Sequence, residues 1–189
     1  MFYKIRYPDT AKNTLLPPLL TGSALKWIAL VTMLTDHIGA VFLENGVISA
    51  YNQQLSSAWD FETTSFLYQA DRILRSVGRI SFPIFCFLLV EGFVHTSNRK
   101  KYALRLFLFA CVSELPFDLC FNGGLLEFSY QNVMFTLLIG FLTLWLMDIV
   151  RQKNPVLLLF TAGGGILLGK LFAADYNWKG IVLILILYL

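Results

Sequence analysis

Asp36 and His37 stand side by side inside an apolar run, residues 25–43, that is long enough to cross a bilayer as a helix. Ionisable side chains at such a depth are costly, and they mark functional sites by default. A neutral imidazole titrates near neutral pH, so His37 is suited to remove a proton from an attacking amine or hydroxyl. Adjacent positions on a helix point about 100° apart. We therefore predict that His37 is the catalytic base and that Asp36 orients or supports it.

Other polar side chains lie at the ends of further apolar runs, and the expected topology brings them to the same outer layer. Arg79 precedes the second run, where a guanidinium suits an anionic acyl donor or the oxyanion of a tetrahedral intermediate. Each such residue could instead end a span or stabilise helix packing. The residues that we predict to bind the acceptor substrate are Glu114, Asp118, Asn132 and Asp175.

A second polar group lies at the opposite end of the second run. Glu91 and His95 are spaced i and i+4 and share one helix face, and the basic turn Arg99, Lys100 and Lys101 follows. Such a turn suits the phosphates of a cytoplasmic donor such as a coenzyme A ester. A local bond between Glu91 and His95 would also explain that pair. We predict no metal site, because a His-Glu-x-x-His motif is missing and the two histidines lie near opposite faces.

The composition indicates that these elements lie in a membrane and not in water. Of the 189 residues, 57% are hydrophobic and 14% are charged, whereas soluble domains carry about 25% charge. The apolar runs are rich in Leu and Phe and do not alternate as barrel strands do. The sequence therefore predicts an all-α polytopic transmembrane helix bundle, with residues 1–189 as a single domain. The net charge of +3 is explained by basic loops at one membrane face, without nucleic acid.

Five spans and the beginning of a sixth follow along the chain. They are residues 25–43, 80–95, 102–121, 133–150 and 156–174, and then 180–189, which is shorter than the ~20 residues of a span. We therefore expect that later C-terminal spans are missing. Residues 44–79 are predicted to be an extracytoplasmic connection. Its apolar residues recur at helical spacing, which predicts an amphipathic helix on the membrane surface: Phe66, Ala70, Ile73, Leu74 and Val77.

Basic residues set the expected orientation. They cluster before the first span, between the second and third, and between the fourth and fifth, so these segments should be cytoplasmic. The N-terminal segment, residues 1–23, lies inside on this prediction and lacks the apolar core of a secretory signal peptide. Three cysteines stand scattered in apolar stretches and are interpreted as packing residues: Cys86, Cys111 and Cys120.

Five blocks, in this order along residues 25–189, resemble the TraX family of membrane proteins, which is named for the pilin acetylase of conjugative plasmids. They are Leu25-Lys26-Trp27 through Thr35-Asp36-His37-Ile38-Gly39; Gly78-Arg79-Ile80-Ser81-Phe82-Pro83-Ile84-Phe85 with Glu91-Gly92 and His95-Thr96; Ser113-Glu114-Leu115-Pro116-Phe117-Asp118; Asn132-Val133 with Phe135-Thr136; and Asp175-Tyr176 followed by Gly180.

The resemblance implies a multi-pass protein of the bacterial cytoplasmic (inner) membrane, distantly related to transmembrane acyltransferases that use coenzyme A donors. It makes His37 the candidate base, Asp36 its partner, and Arg79 the contact to donor or oxyanion. The expected reaction moves an acetyl group from cytoplasmic acetyl-coenzyme A to an amine or hydroxyl at the outer side, such as a pilin N-terminus or an envelope glycan. The alternative is a non-enzymatic membrane carrier or assembly factor whose polar layer binds a solute or proton.

Overall fold

A computed structural model describes residues 21–49, 61–121, 130–151 and 154–189, and these ranges are helical throughout apart from short connections. Among them no β-strand occurs, and an isolated parallel bridge joins Gln131 to Ala174. The helices are α1 (Gly22–His37), which continues as a π-helical segment (Ile38–Ile48), α2 (Phe61–Gly78), α3 (Ser81–His95), α4 (Arg99–Phe121), α5 (Val133–Val150), α6 (Pro155–Leu171) and α7 (Asn177–Tyr188). The predicted all-α fold is confirmed.

Three helical stretches of the described residues are long and apolar enough to cross a membrane: Gly22–Ile48, Ser65–His95 and Val133–Val150. Two shorter apolar helices follow, Val156–Leu171 and Asn177–Tyr188. The chain is therefore an integral membrane protein. The count of five spans, the truncated sixth and the cytoplasmic N-terminus stay predictions. The expectation for residues 1–20 lies outside the described residues.

Polar caps fix where three of the helices begin. The Thr21 hydroxyl accepts a hydrogen bond from the Ala24 N–H at 3.1 Å at the start of α1. Asn132 caps α5 by accepting from the Met134 N–H at 2.9 Å, and Asn154 caps α6 in the same way. Each side-chain oxygen satisfies an N–H that the first turn of a helix leaves without a partner. Asn132, a predicted site residue, is thereby held at the mouth of α5.

The predicted connection between the first two spans differs from the structure in two ways. The first helix runs past residue 43 to Ile48, because the polar side chains there have partners: Asn45 donates to the Cys120 carbonyl oxygen at 3.2 Å. The expected amphipathic helix is present as α2, but only a turn at Arg79 and Ile80 separates it from α3. The Arg79 N–H still bonds the Arg75 carbonyl oxygen at 3.1 Å. Helix α2 packs along α1 and its π-helical segment.

The core lies between α3, α5 and α7. Buried side chains from these helices interlock, among them Phe82, Cys86 and Phe93 of α3, Phe141 and Leu144 of α5, and Ile181 and Ile184 of α7. Cys86 is buried in this core, as the packing interpretation requires, whereas Cys111 and Cys120 are exposed and that interpretation is wrong for them. Helix α1 packs on α2 and α3 at one side of the core, and α4 packs on α5 at another. The space between these two sides holds the candidate site.

Candidate functional site

A cavity of about 500 Å³ lies between the end of α1, α4 and the loops that precede α5 and α7. This volume is typical of a site for a small ligand. Phe109, Phe117 and Phe121 form an apolar wall. The polar lining combines residues from distant segments: Asp36, His37, Glu44, Asn45, Arg75, Ser113, Tyr130, Asn132 and Asp175. We call this space the His37 cavity.

His37 has one ring nitrogen occupied. Its Nδ1 lies 2.9 Å from the carbonyl oxygen of Met33, one turn earlier in α1. Because a carbonyl oxygen can only accept, this contact assigns the proton to Nδ1 in the neutral ring and leaves Nε2 as the acceptor. Phe121 meets the imidazole edge-on, with ring centroids 6.4 Å apart. The ring is thus oriented by helix backbone and by an aromatic side chain, and its basic nitrogen has no partner among the described residues.

Asp36 pairs with an arginine of α2. Its carboxylate accepts a 2.5 Å hydrogen bond from the Arg75 guanidinium, and Glu44 lies 3.7 Å from Nε of the same arginine. The close approach of α2 depends on Gly78, because a Cβ atom there would come within 2.6 Å of the Asp36 Cα atom. Asp36 therefore secures α2 against α1, and Arg75 becomes the guanidinium that lines the His37 cavity.

The arginine that lines the His37 cavity is Arg75, and not Arg79 as the sequence predicts. Arg79 lies in the turn after α2 and lines a neighbouring groove of about 730 Å³, not the His37 cavity. Arg75 lines both spaces. The sequence pattern alone places Arg75 only outside the apolar face of the amphipathic helix. The signal that could have identified it is its position one helical turn before Arg79, on the same face.

Asn132 is held by several hydrogen bonds. Its amide nitrogen donates to the Ala110 carbonyl oxygen at 2.9 Å and to the carboxylate of Glu114, whose Oε2 also accepts the Asn132 N–H at 3.3 Å. Glu114 does not line the cavity, and its Oε1 is buried without a hydrogen-bond partner among the described residues. Asp118 is fully buried and lies outside the cavity lining. Glu114 therefore positions Asn132, while Asn132 and Asp175 are the predicted acceptor residues that reach the cavity.

Asp175 sits in a tightly connected loop before α7. Its Oδ1 accepts from the Tyr130 hydroxyl at 2.8 Å and from the Tyr176 N–H at 2.9 Å. Main-chain bonds link Asp175 to Gln131 at 2.8 Å and Gln131 to Ala173 at 3.4 Å. Ala173 and Tyr176 have φ values of 46° and 62°, a strained conformation for residues with a Cβ atom. Burial raises the pKa of Asp175 above its usual range, although the two hydrogen bonds oppose that shift.

The residues predicted to bind the acyl donor lie at the C-terminal end of α3 and in the first turn of α4. His95 Nδ1 lies 2.9 Å from the Glu91 carbonyl oxygen and 3.3 Å from its carboxylate, and both side chains are exposed. Arg99 donates to Asp148 at 2.6 Å and lies over the Phe93 ring at 4.5 Å from its centroid.

Arg99 and Lys100 line a separate cavity of about 440 Å³, while Lys101 is exposed beside it. The basic turn is therefore open to a ligand, although Arg99 already has an acidic partner. Within the described part of the chain, no three His, Cys, Asp or Glu side chains form a group that could hold a metal ion.

Comparison with known proteins places this sequence in a family. The family model described as "TraX protein" matches residues 21–189. The "Probable fimbrial assembly protein FimC, serogroup H1" of Dichelobacter nodosus is 34% identical over 127 residues, which is 64% of this chain and 43% of that protein. The match thus spans less than half the length of that relative. No solved structure matches the chain. Since the family model covers almost all of the sequence, the resemblance of the five blocks is confirmed: the chain belongs to the TraX family.

Proposed function

We propose that this chain is a multi-pass acyltransferase of the bacterial inner membrane, which moves an acetyl group from cytoplasmic acetyl-coenzyme A to an amine or hydroxyl at the outer side. The observation that carries the proposal is the His37 cavity. It combines an imidazole whose Nδ1 is hydrogen-bonded, a guanidinium and a partly buried carboxyl group, that of Asp175, in a space large enough for a ligand. Proton removal next to a cation is what acyl transfer requires.

In this mechanism Nε2 of His37 takes the proton of the acceptor as the acceptor attacks the thioester carbonyl. The carbonyl π electrons move to oxygen, and a guanidinium such as that of Arg75 stabilises the resulting negative charge. Collapse of the intermediate breaks the carbon–sulfur bond, and the imidazolium returns its proton to the departing coenzyme A thiolate.

Arg75 takes the oxyanion role that the sequence predicts for Arg79, and Asn132 does not share it. The Asn132 amide already donates to Ala110 and Glu114, so it holds the loop and has no N–H to spare for an oxyanion. Arg75 has five N–H donors, of which Asp36 occupies one at hydrogen-bond distance. Asp175 and Tyr130 then form the acceptor side of the cavity.

The donor would bind at the other end of α3, where Lys100 and Lys101 are available for its phosphates. The 15 residues of α3 separate the two ends by about 22 Å. The pantetheine arm of coenzyme A is the part of the donor that would cross this distance. Five spans with the N-terminus inside would put the basic turn in the cytoplasm and the His37 cavity toward the outer face.

The name of the Dichelobacter nodosus protein supports an envelope acceptor. That relative is called a fimbrial assembly protein. A pilin N-terminus, or a glycan of the same envelope, is therefore the class of acceptor that we favour. The same name also fits the second candidate function, a non-enzymatic assembly factor in which the cavity binds its partner without chemistry.

Transfer of label from radioactive acetyl-coenzyme A to an envelope extract, in proteoliposomes of the full chain, separates the two. We expect labelling by the wild type and a loss of about 100-fold or more in His37→Gln. Arg75→Gln should lower labelling strongly, while Arg105→Gln, which removes an exposed arginine of α4 outside the cavity, should not. Equal labelling by wild type and His37→Gln would refute the role of the base. If the wild type and its variants bind acetyl-coenzyme A but transfer no label, the assembly factor is the favoured function.

A further inference from the structure

The groove beside the His37 cavity has no part in the proposed reaction, although it is the larger of the two spaces. Five polar residues of α2 and the following turn line it at intervals of three and four positions, and so form one helix face: Ser65, Gln69, Arg72, Ser76 and Arg79. We call this space the α2 groove. Its volume of about 730 Å³ is in the range of ligand sites.

The positive charge in the α2 groove belongs to Arg72 and Arg79. They are two helical turns apart on the same face, and neither forms an ion pair within the described ranges. Arg75, which lies between them, already pairs with Asp36 and lies near Glu44. Two exposed guanidinium groups on one helix therefore keep donors for an anion.

The carboxylates that also line the groove lie toward α1. Asp71 packs at the Gly39 contact, where its Oδ1 is 3.3 Å from the position of a Cβ atom on that glycine. Glu44 lies at Arg75. The lining of the groove therefore combines two carboxylates on its α1 side with hydrogen-bond donors along α2, which are arginines, serines, an amide and the Tyr68 hydroxyl.

The face of α2 next to this groove is apolar and uncovered. Phe66, Ile73, Val77 and Ile80 recur along it and are 69%, 63%, 40% and 53% exposed. In an integral membrane protein such a face meets lipid chains. A cationic groove directly beside a lipid-facing face fits a ligand that has both an acyl or isoprenoid chain and an anionic headgroup.

We propose that the α2 groove is a binding site for the phosphate group of a membrane lipid or lipid-linked molecule. Guanidinium groups match phosphate oxygens in pairs, and the serine and glutamine side chains add further donors. Arg75 and Glu44 line both spaces, so a headgroup in the groove borders the His37 cavity. The further step, that this ligand carries the acyl acceptor, rests on the proposed function, whereas phosphate binding does not.

Binding of short-chain phosphatidic acid to the full chain in detergent, without any acetyl donor, tests the site. The wild type should bind this lipid, and Arg72→Gln/Arg79→Gln should bind it at least tenfold more weakly. Arg72→Lys/Arg79→Lys, which keeps the charge but loses paired hydrogen bonds, should fall between them. The matched control, Arg105→Gln/Lys170→Gln, removes two exposed cations elsewhere and should bind as the wild type does. Unchanged melting temperatures of the variants would show that they fold.

Two comparison ligands identify the source of the phosphate. Short-chain diacylglycerol lacks the phosphate, so the wild type should bind it no better than the Arg72→Gln/Arg79→Gln variant does. Inorganic pyrophosphate lacks the lipid chain and should displace phosphatidic acid only weakly. Equal affinity of the arginine variant and the wild type for phosphatidic acid would overturn the proposal. Pyrophosphate that binds as tightly as the lipid would overturn the assignment to a lipid. Because no acetyl donor is present, neither result depends on the proposed transfer.

Discussion

Asp36 joins two helices through contacts of different kinds. Its carboxylate pairs with Arg75, and its backbone touches Gly78 of the same helix α2. The two charged side chains are 25% and 29% exposed, so water compensates little if one of them is removed. Removal of Asp36 leaves Arg75 with only the more distant carboxylate of Glu44, and removal of Arg75 leaves the Asp36 charge partly buried without its partner. His37, the next residue, does not share this pair, and its orientation comes from the Met33 carbonyl oxygen and from Phe121.

The first prediction is therefore an energetic coupling between Asp36 and Arg75. In a double-mutant cycle of Asp36→Asn and Arg75→Gln, measured by unfolding in mixed detergent micelles, the coupling free energy should be about 1–2 kcal/mol. The control pair, Asp36→Asn with Arg72→Gln, involves an arginine that lines only the α2 groove and should add within about 0.5 kcal/mol. Equal coupling in the two cycles would mean that the ion pair has no specific part in holding α2.

The second prediction concerns pH and Asp175. Because burial raises the pKa of Asp175, the folded protein keeps this proton at pH values where the unfolded chain has lost it. Stability from this group is complete below the usual carboxyl pKa of about 4 and is lost as pH rises through the folded pKa. Asp175→Asn keeps an acceptor for Tyr130 and Tyr176 and cannot ionise. Its melting temperature should therefore exceed that of the wild type increasingly as pH rises, by about 2–4 °C for each kcal/mol lost.

Tyr130→Phe provides the control for this pH effect. The hydrogen bond from Tyr130 favours the ionised form of Asp175 and so opposes the rise in its pKa. Its removal should make the loss of stability with rising pH larger than in the wild type, and should leave the pH dependence unchanged in the Asp175→Asn background. If the melting temperatures of wild type and Asp175→Asn change in parallel as pH rises, the raised pKa assigned to Asp175 is contradicted.

At the scale of elements, the contact between α1 and α2 depends on a glycine. Gly78→Ala would bring a methyl group to within 2.6 Å of the Asp36 Cα atom, and backbone atoms cannot move aside without separating the helices. We predict a loss of about 1–3 kcal/mol of unfolding free energy. Gly163→Ala in α6 is the control, because nothing lies within 4 Å of its Cβ position. It should be neutral or stabilising by up to about 1 kcal/mol. Similar losses in both variants would show that the contact with Asp36 does not set the effect, because the gain in helix propensity can only stabilise.

The sequence predicts the helices better than it predicts the contacts between them. The apolar runs at residues 80–95 and 133–150 correspond closely to Ser81–His95 and Val133–Val150, because burial and hydrophobic length determine a helix locally. The meeting of Asn132 and Asp175 also follows, since both open or close spans at one face. The choice between Arg75 and Arg79 does not follow. The two arginines are one helical turn apart at the end of α2, and only the packing of that helix on α1 decides which of them lines the His37 cavity.

At the scale of the whole molecule, polar spaces occupy the two ends of α3. The His37 cavity and the α2 groove lie at its first residues, and the basic turn with Lys100 lies after its last. If α3 crosses the membrane, the two ends face different compartments. The arrangement would keep a cytoplasmic donor and an outer acceptor on separate sides of one protein.

The fourth prediction tests this arrangement by labelling single cysteines in cells, in a background without Cys86, Cys111 and Cys120. Asn98→Cys and Asn154→Cys should react with an impermeant maleimide only after the membrane is opened, because they adjoin the basic loops. Trp178→Cys, an exposed position near the start of α7, should react in intact cells. Labelling of Asn98→Cys and Trp178→Cys from the same side would contradict the predicted topology.

The main-chain bonds between Gln131 and the Ala173–Asp175 loop have a mechanical consequence. They join the segment before α5 to the segment before α7, so a displacement of Asn132 is transmitted to Asp175 although the two are remote in sequence. This side of the His37 cavity is a stiff wall. The opposite side consists of α1 and α2, which an ion pair and a glycine contact hold together. The side with Asn132 and Asp175 is thus fixed by main-chain hydrogen bonds, whereas the side with His37 and Arg75 is fixed by contacts that single substitutions can remove.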